Sequence, residues 1–196
     1  MEAPPNVAAV ILAAGESRRF GTPKQLALLD GRPMLQHVLD LAMEAGLSPV
    51  LAVVPPWLDP AAISGSISLI RNHQPERGLS HSLRLGVAAL PPQSEAVVIL
   101  LGDQPRVSPA DVEALLAARG PRPLVALRAD GRLAPPVVIE RGHFSIVAEP
   151  TGDIGLRELM EAHPDWVTAV DVQEHTPDVD TPADLAALTP PLEWRR

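Results

Sequence analysis

Short, uninterrupted apolar runs alternate with amphipathic segments along the chain. The apolar runs are typical of buried strands of a parallel sheet, and they predict strands at residues 7–13, 50–54, 67–70, 96–101, 125–127, 137–139 and 167–170. The amphipathic segments predict helices at residues 33–45, 82–90, 108–120, 153–162 and 182–188. Strands that alternate with helices predict an α/β fold with a mostly parallel sheet covered on both faces.

Length and composition narrow the class of protein. A chain of 196 residues, 46% of them hydrophobic, is long enough for one substantial core, so we expect a single domain at 1–190 and a tail at 191–196. The net charge of −8 argues against a nucleic-acid-binding protein. The chain has no cysteine, so a metal would need oxygen or histidine ligands. No secretory signal or membrane-spanning run is present, which predicts a cytoplasmic protein without a membrane partner.

The loop after the first strand is the first candidate site, because ligands bind beyond the carboxyl ends of strands in such sheets. Its sequence is LAAGESRRFGTPK, from Leu12 to Lys24. Small residues expose backbone N–H groups, and Arg18, Arg19 and Lys24 add three cations within seven residues, as a triphosphate site requires. Lys24 is the only lysine in the chain. Gln25 follows it where a P-loop has Ser or Thr, and no G-x-G-x-x-G is present.

Two aspartates are further candidates. Asp103 follows the apolar run 96–101 after Gly102, where a carboxylate suits Mg²⁺ held against phosphates, although a turn or a helix cap explains it equally well. Asp180 lies in Val-Asp-Thr-Pro, which is also an ordinary helix start. Ser80 and Ser82 are equally plausible as helix caps. The stretch 78–82 lacks the second glycine of a nucleophile elbow, which argues against a serine hydrolase.

Together these motifs resemble the MobA-like nucleotidyltransferase superfamily. The matching pieces are L-A-A-G-x-S-x-R-F-G-x-P-K, L-G-D-Q-P and D-V-D-T-P-x-D-L. An Asn…Gly…Ser-Leu…Gly segment from Asn72 and a G-D-x-G-x-R box from Gly152 also match. The molybdenum cofactor cytidylyltransferase branch is the most similar. The resemblance implies a three-layer α/β/α, Rossmann-like nucleotidyltransferase fold.

The resemblance also implies roles for individual residues. Catalytic roles fall to Arg19, Lys24 and Asp103, with Arg19 and Lys24 on the triphosphate. Asp103 and Asp180 would bind Mg²⁺, with Mn²⁺ as the alternative ion. The implied nucleotide-binding residues are Leu12, Ala13, Ala14, Gly15, Arg19, Lys24, Asn72, Gly78, Ser80 and Ser82. The implied acceptor-binding residues are Gln104, Asp153 and Arg157.

The reaction that the resemblance implies is transfer of CMP from CTP to the phosphate of molybdopterin, with release of pyrophosphate. Molybdenum hydroxylase apoenzymes would then be further partners. Ala14 favours cytidine, because the guanylyl branch has L-A-G-G there. At 133–136 the chain has Leu-Ala-Pro-Pro where relatives have Gly-x-Pro, which leaves the acceptor open. The alternatives are guanylyl or other nucleotidyl transfer to a different phosphorylated acceptor, and a non-catalytic nucleotide or cofactor carrier.

Overall fold

A seven-stranded sheet forms the centre of the computed structural model, which describes residues 6–174 and 177–188. Its strands are β1 (Val7–Leu12), β4 (Val50–Val54), β5 (Ile67–Arg71), β6 (Ala96–Leu101), β7 (Leu124–Ala129), β8 (Arg132–Glu140) and β9 (Val167–Asp171). The spatial order is β5-β4-β1-β6-β8-β7-β9. Only β8 runs antiparallel to its neighbours in this sheet, so the predicted mostly parallel sheet is confirmed.

Helices cover both faces of the sheet. They are α1 (Met34–Glu44), α2 (Leu79–Ala88), α3 (Pro109–Ala117), α4 (Leu156–Ala162) and α5 (Pro182–Leu188). Val7, Ala9 and Ile11 point to the face that α1 and α3 cover, whereas the alternate residues of β1 point to α2 and α4. Because β1 is buried on both faces, its sequence is apolar without interruption. The three-layer α/β/α arrangement is therefore confirmed.

Three predicted helix starts are wrong. Helix α1 begins at Met34, because Pro33 belongs to a hairpin of β2 (Leu28–Leu29) and β3 (Arg32–Pro33). Helix α2 begins at Leu79 with Gly78 at its N-cap position, so Ser80 and Ser82 lie inside the helix and do not cap it. Helix α4 begins at Leu156, after a turn in which the Ile154 N–H donates to the Thr151 carbonyl. The predicted tail, 191–196, lies outside the described residues.

Strand β8 is longer than the predicted strand 137–139. It includes Pro135 and Pro136, which have no partners in the register with β7, because Ala126 pairs with Val137 and Leu127 already pairs with Ala134. Proline lacks an N–H, so a bulge is one of the few places where a strand inside a sheet tolerates it. A 3-10 helix over Arg141–Ala148, which the sequence pattern did not predict, follows β8.

The ends of β1 and β6 lie side by side and position the candidate site. Leu12 pairs with Leu101, and the Gly102 N–H donates to the Leu12 carbonyl at 2.9 Å. A Cβ at Gly102 would lie 2.7 Å from the Ala13 Cβ, so glycine permits this close approach. None of the helices within residues 6–174 and 177–188 is long and apolar enough to cross a membrane.

Candidate active site

Lys24 joins the first loop to two carboxylates from distant parts of the chain. Its Nζ donates to Asp103 Oδ2 at 2.8 Å, to Asp180 Oδ1 at 3.1 Å and to the Val179 carbonyl at 3.2 Å. The lysine side chain is only 13% exposed. Desolvation opposes the charged form of Lys24, but Asp103 and Asp180 outweigh it and raise the lysine pKa above its usual value. The ammonium group therefore stays charged at neutral pH.

Asp180 is held from several sides. Arg19 donates to its Oδ2 at 2.9 Å from a mostly exposed position. The Asp184 carboxylate accepts from the Thr181 hydroxyl at 2.9 Å and from the backbone N–H groups of Thr181 and Asp180 at 2.8 and 3.1 Å. The hydroxyl bond first, and then the two backbone bonds, lower the pKa of Asp184. The Asp184 N–H donates back to Thr181 Oγ1, so the predicted helix start before Pro182 is present as well.

The segment that carries Asp180 is anchored by an apolar residue. Val179 is fully buried against Phe20 and Met34, beside α5. Its N–H donates to the Asp103 carbonyl at 2.9 Å. This anchor explains how residues far apart in the sequence meet at the end of β6.

Asp178 is a third carboxylate at this point. It accepts from Gln104 Nε2 at 2.8 Å. Desolvation and the nearby negative charges of Asp103 and Asp180 raise the pKa of Asp178, against the opposing effects of the Gln104 bond and Arg157. Gln104 itself is 2% exposed, and its Oε1 has no partner among the described residues.

These side chains surround an open cleft of about 480 Å³, here called the main cleft. Its wall contains small residues of the first loop, the start of α2 and the ends of β1 and β6. Among the predicted site residues, the wall includes Leu12, Ala13, Ala14, Gly15, Arg19, Lys24, Gly78, Ser82, Asp103, Asp153 and Asp180. The cleft continues outward past Ser17 and Arg18. Its volume and mixed lining suit a nucleotide.

A smaller cavity of about 190 Å³ adjoins the main cleft and shares Leu12, Asp153 and Asp178 with it. We call it the side cavity. Leucine and isoleucine side chains of α2 and β6 form much of its wall, and Arg157 is its one cationic lining residue. Arg157 therefore lies beside the main cleft rather than in it.

Three predicted site residues lie behind the wall. Asn72 is fully buried; its Nδ2 donates to Ser82 Oγ at 3.0 Å and its Oδ1 accepts from the Gln74 N–H at 2.9 Å. Ser80 is fully buried, and its N–H donates to the Gly152 carbonyl. Gln104 donates to Asp178 through its Nε2. None of these three is among the residues that line the main cleft or the side cavity.

Gly78 has a clear physical role. Its φ of +81° favours glycine, and a Cβ there would lie 2.3 Å from the Gly152 carbonyl carbon. The loop that contains Gly152 therefore closes directly on the start of α2. Arg84 holds the same loop through the Pro150 carbonyl at 2.7 Å. This contact brings Asp153 to the wall of both cavities.

Sequence reasoning missed Asp178, Val179 and Gln25. Asp178 stands two residues before Asp180, so the alternation in Asp-Val-Asp was an available signal. Gln25 is 2% exposed and donates to the carbonyls of Ala13 and Gly15. Nothing in the sequence marks these contacts.

The carboxylates of the site are candidate ligands for a divalent metal. Among the residues that the structure describes, no three His, Asp or Glu side chains are grouped closely enough to bind a metal by themselves. Asp103 and Asp180 do share one partner, the Lys24 ammonium, and so lie close together. Mg²⁺ in nucleotide sites commonly takes one or two carboxylates plus phosphate oxygens. The residues therefore fit an ion that arrives with a nucleotide.

Comparisons with known proteins define the class. The model of the MobA-like NTP transferase domain matches residues 9–167, and the chain belongs to this family. A bifunctional protein GlmU of Sorangium cellulosum is 34% identical over 173 residues, which are 81% of this chain and 35% of that protein. The chain thus spans about a third of the length of this curated relative.

Solved structures share the fold of this chain. Rv0371c from Mycobacterium tuberculosis superposes with a TM-score of 0.81 at 29% identity, over 93% of this chain and 97% of the other. A second structure, Rv0371c in complex with manganese, has a TM-score of 0.75 at 26% identity, over 94% and 97% of the two chains. A nucleotidyl transferase from Methanothermobacter thermautotroptrophicus has a TM-score of 0.80 at 20% identity over 93% and 95%, which shows the shared fold.

Proposed function

We propose that this chain transfers CMP from CTP to the phosphate of molybdopterin and releases pyrophosphate. The observation that carries the nucleotidyl-transfer part is the convergence of Lys24, Asp103 and Asp180 at the wall of a nucleotide-sized cleft. Membership of the MobA-like NTP transferase family supports the same reaction type. The cytidine and molybdopterin assignments rest on the sequence resemblance.

The first loop and its cations suit the triphosphate. The cleft wall contains Gly15, Arg19 and Lys24, and both charged side chains are free to exchange a carboxylate partner for a phosphate oxygen. Their charges offset the negative charge that develops on the leaving pyrophosphate. Asn72, Ser80 and Ser82 support the opposite wall through α2 and its neighbouring turn.

In the proposed step, an oxygen of the acceptor phosphate attacks the α-phosphorus of CTP. The bond between the α-phosphorus and the bridging oxygen to the β-phosphate breaks, and pyrophosphate leaves with that electron pair. No covalent bond to the protein is needed, so the chain's contribution is positioning and charge neutralisation. Asp103 and Asp180 would bind Mg²⁺ or Mn²⁺, which would supply positive charge to the phosphates. The manganese complex of Rv0371c supports a divalent ion.

Ala14 supports cytidine on physical grounds. It is 4% exposed and lines the main cleft, so its Cβ occupies space that a glycine would leave open to a larger base. The side cavity supports an acceptor next to the donor, because it shares Asp153 and Asp178 with the main cleft. Arg157 is its cation for the acceptor phosphate, and Gln104 acts through Asp178.

A nucleotide panel tests the proposal. Pyrophosphate release is measured from each of the four NTPs with Mg²⁺ and molybdopterin, and again without the acceptor. We expect CTP with molybdopterin to give the highest kcat/KM. Equal kcat/KM for CTP and GTP would overturn the cytidylyl assignment. Turnover with another phosphorylated acceptor, and none with molybdopterin, would overturn the assignment of molybdopterin as the acceptor. Tight CTP binding without turnover on any acceptor would favour a carrier.

The Asp103→Ala variant tests the carboxylate assignment. We expect it to lose turnover and to keep its circular dichroism spectrum, because Asp103 lies at a strand end on the cleft wall and supports little of the core. Asp171→Ala is the control, since Asp171 is an exposed aspartate that is paired with Arg128 and lies outside the cleft. Near-normal Mg²⁺-dependent turnover in Asp103→Ala would contradict the assignment.

A further inference from the structure

Gln25 makes an unusual set of contacts for a buried polar side chain. It lies in a 3-10 helix, Lys24–Leu26, and is 2% exposed. Its Nε2 donates one hydrogen to the Ala13 carbonyl at 2.8 Å and the other to the Gly15 carbonyl at 2.9 Å. Its Oε1 accepts from Ser17 Oγ at 3.3 Å. Two carbonyl acceptors fix which end of the amide is the NH₂ group. Both amide hydrogens are therefore used within the first loop.

Peptide geometry links these two carbonyls to the neighbouring N–H groups. In a planar trans peptide the C=O of one residue and the N–H of the next point in opposite directions. Binding the Ala13 and Gly15 carbonyls to Gln25 therefore turns the N–H groups of Ala14 and Glu16 away from Gln25. Within the part of the chain that the structure describes, neither of these N–H groups has a hydrogen-bond acceptor. Ala14 and Glu16 line the main cleft, where a phosphate could accept from them.

We propose that Gln25 is a positioning residue that holds the Ala14 and Glu16 N–H groups toward the phosphates of the bound nucleotide. This inference rests on the proposed function, because it takes the first loop as the triphosphate site. Both hydrogens of the Gln25 side-chain amide are already donated to carbonyls of the first loop. Gln25 therefore affects the nucleotide by shaping the loop and needs no contact with the nucleotide itself.

The same network reaches Lys24. Ser17 Oγ, which donates to Gln25, accepts from the Lys24 backbone N–H at 3.2 Å. Ser17 has a φ of +56°, an uncommon conformation for a residue other than glycine, and its carbonyl accepts from the N–H groups of Phe20 and Gly21. Gln25 therefore ties the backbone of Lys24 to the residues that carry the free N–H groups. A change in the shape of the first loop would therefore also move the backbone of Lys24.

Gln25→Leu and Gln25→Glu test the proposal. Leucine removes both donors. Glutamate keeps the size of the side chain but places a carboxylate against two carbonyl oxygens. Gln36→Leu is a matched control, because Gln36 is 4% exposed and likewise holds a loop, with bonds to the Ser64 N–H and carbonyl at 2.8 and 3.0 Å. Ser64 does not line the main cleft.

The measurements are the dissociation constant for CTP with Mg²⁺ by titration calorimetry and the ¹H–¹⁵N chemical shifts of the loop amides. We expect both Gln25 variants to weaken CTP binding by about tenfold or more, as the loss of one to two aligned hydrogen bonds predicts. Gln36→Leu should leave the affinity within about twofold, because it removes no bond of the first loop. In the unsubstituted protein, CTP should move the Ala14 and Glu16 amide resonances downfield.

Unchanged CTP affinity in Gln25→Glu or Gln25→Leu would overturn the role of Gln25. An equal loss of affinity in Gln36→Leu would also overturn it, because the effect would then follow from lost stability alone. If CTP leaves the Ala14 and Glu16 resonances of the unsubstituted protein unmoved while it binds, the inference fails and nucleotide binding stands. Failure of the unsubstituted protein to bind any NTP would instead refute the proposed function itself.

Discussion

The Lys24 ammonium occupies the space between two carboxylates that are proposed to bind a metal. A divalent ion that arrives without a nucleotide must compete with this ammonium group. Lys24→Met removes the charge and keeps a side chain of similar length. We therefore expect Lys24→Met to bind Mn²⁺ more tightly than the unsubstituted protein when no nucleotide is present, although it should bind CTP more weakly.

The size of the effect follows from the ion-pair distances. At 2.8 and 3.1 Å, each Lys24–carboxylate pair has a Coulomb energy of about 5 to 6 kcal/mol at an effective dielectric of about 20. The side chains of Asp103 and Asp180 are 24% and 32% exposed, so solvent screening reduces this energy. We take about 1 to 3 kcal/mol as the net competition, which corresponds to about five- to 150-fold in metal affinity.

Electron paramagnetic resonance of free Mn²⁺ measures this affinity directly, without any turnover. Arg19→Met is the control, because Arg19 contacts only one of the two carboxylates and its side chain is 72% exposed. It should change Mn²⁺ affinity by less than about threefold. Equal Mn²⁺ affinity in Lys24→Met and the unsubstituted protein would refute the competition between lysine and metal. Asp103→Asn should weaken Mn²⁺ binding in either background.

Two further predictions concern stability. Gly86→Ala should lower the free energy of unfolding in urea by about 1 to 3 kcal/mol, because the added Cβ would lie 2.4 Å from Val10 Cγ1. Gly142→Ala is the control, because a Cβ at Gly142 would meet open space, and it should change the free energy of unfolding by less than about 0.5 kcal/mol. Equal effects would contradict the tight packing of α2 on β1. Asp178→Asn should raise the Tm at about pH 7, because the raised pKa of Asp178 means that its ionised form destabilises the folded state. This gain should vanish as the pH falls below the usual aspartate pKa of about 3.9, where both proteins carry a neutral side chain. A gain that persists there would point to packing instead of charge.

Most strands could be predicted from sequence because a strand buried on both faces leaves a simple signal. The runs at β4 and β6 match their predicted bounds. Strand β8 was underestimated, because Pro135 and Pro136 suggest an interruption unless the bulge opposite Leu127 is known. The start of α2 was missed for a related reason. Gly78 forms its N-cap position through backbone geometry, without the side-chain hydrogen bond that marks most helix starts.

In the candidate site, too, some residues could be predicted from local sequence and others could not. Lys24 and Asp103 could be predicted because each follows a recognisable strand end. The Asp-Val-Asp alternation marks Asp178, but its contact with Gln104 joins the end of β6 to a segment more than seventy residues later, and local patterns do not encode that contact. Gln25 depends on the path of the loop that it holds. A glutamine next to a lysine has no distinctive pattern until the Ala13 and Gly15 carbonyls are seen to point toward it.

Two opposing effects act on the segment 178–180 of the site: repulsion between aspartates and burial of the apolar side chain of Val179. Desolvation is the main reason for the raised pKa of Asp178, and repulsion by Asp103 and Asp180 adds to it. Burial of Val179 against Phe20 and Met34 holds the later two aspartates in place regardless of their charge. Because the apolar anchor is independent of charge, the proposed transfer of Lys24 from the carboxylates to a triphosphate would not release the segment. Asp103 and Asp180 would then be the residues available to hold a divalent ion that enters with the nucleotide.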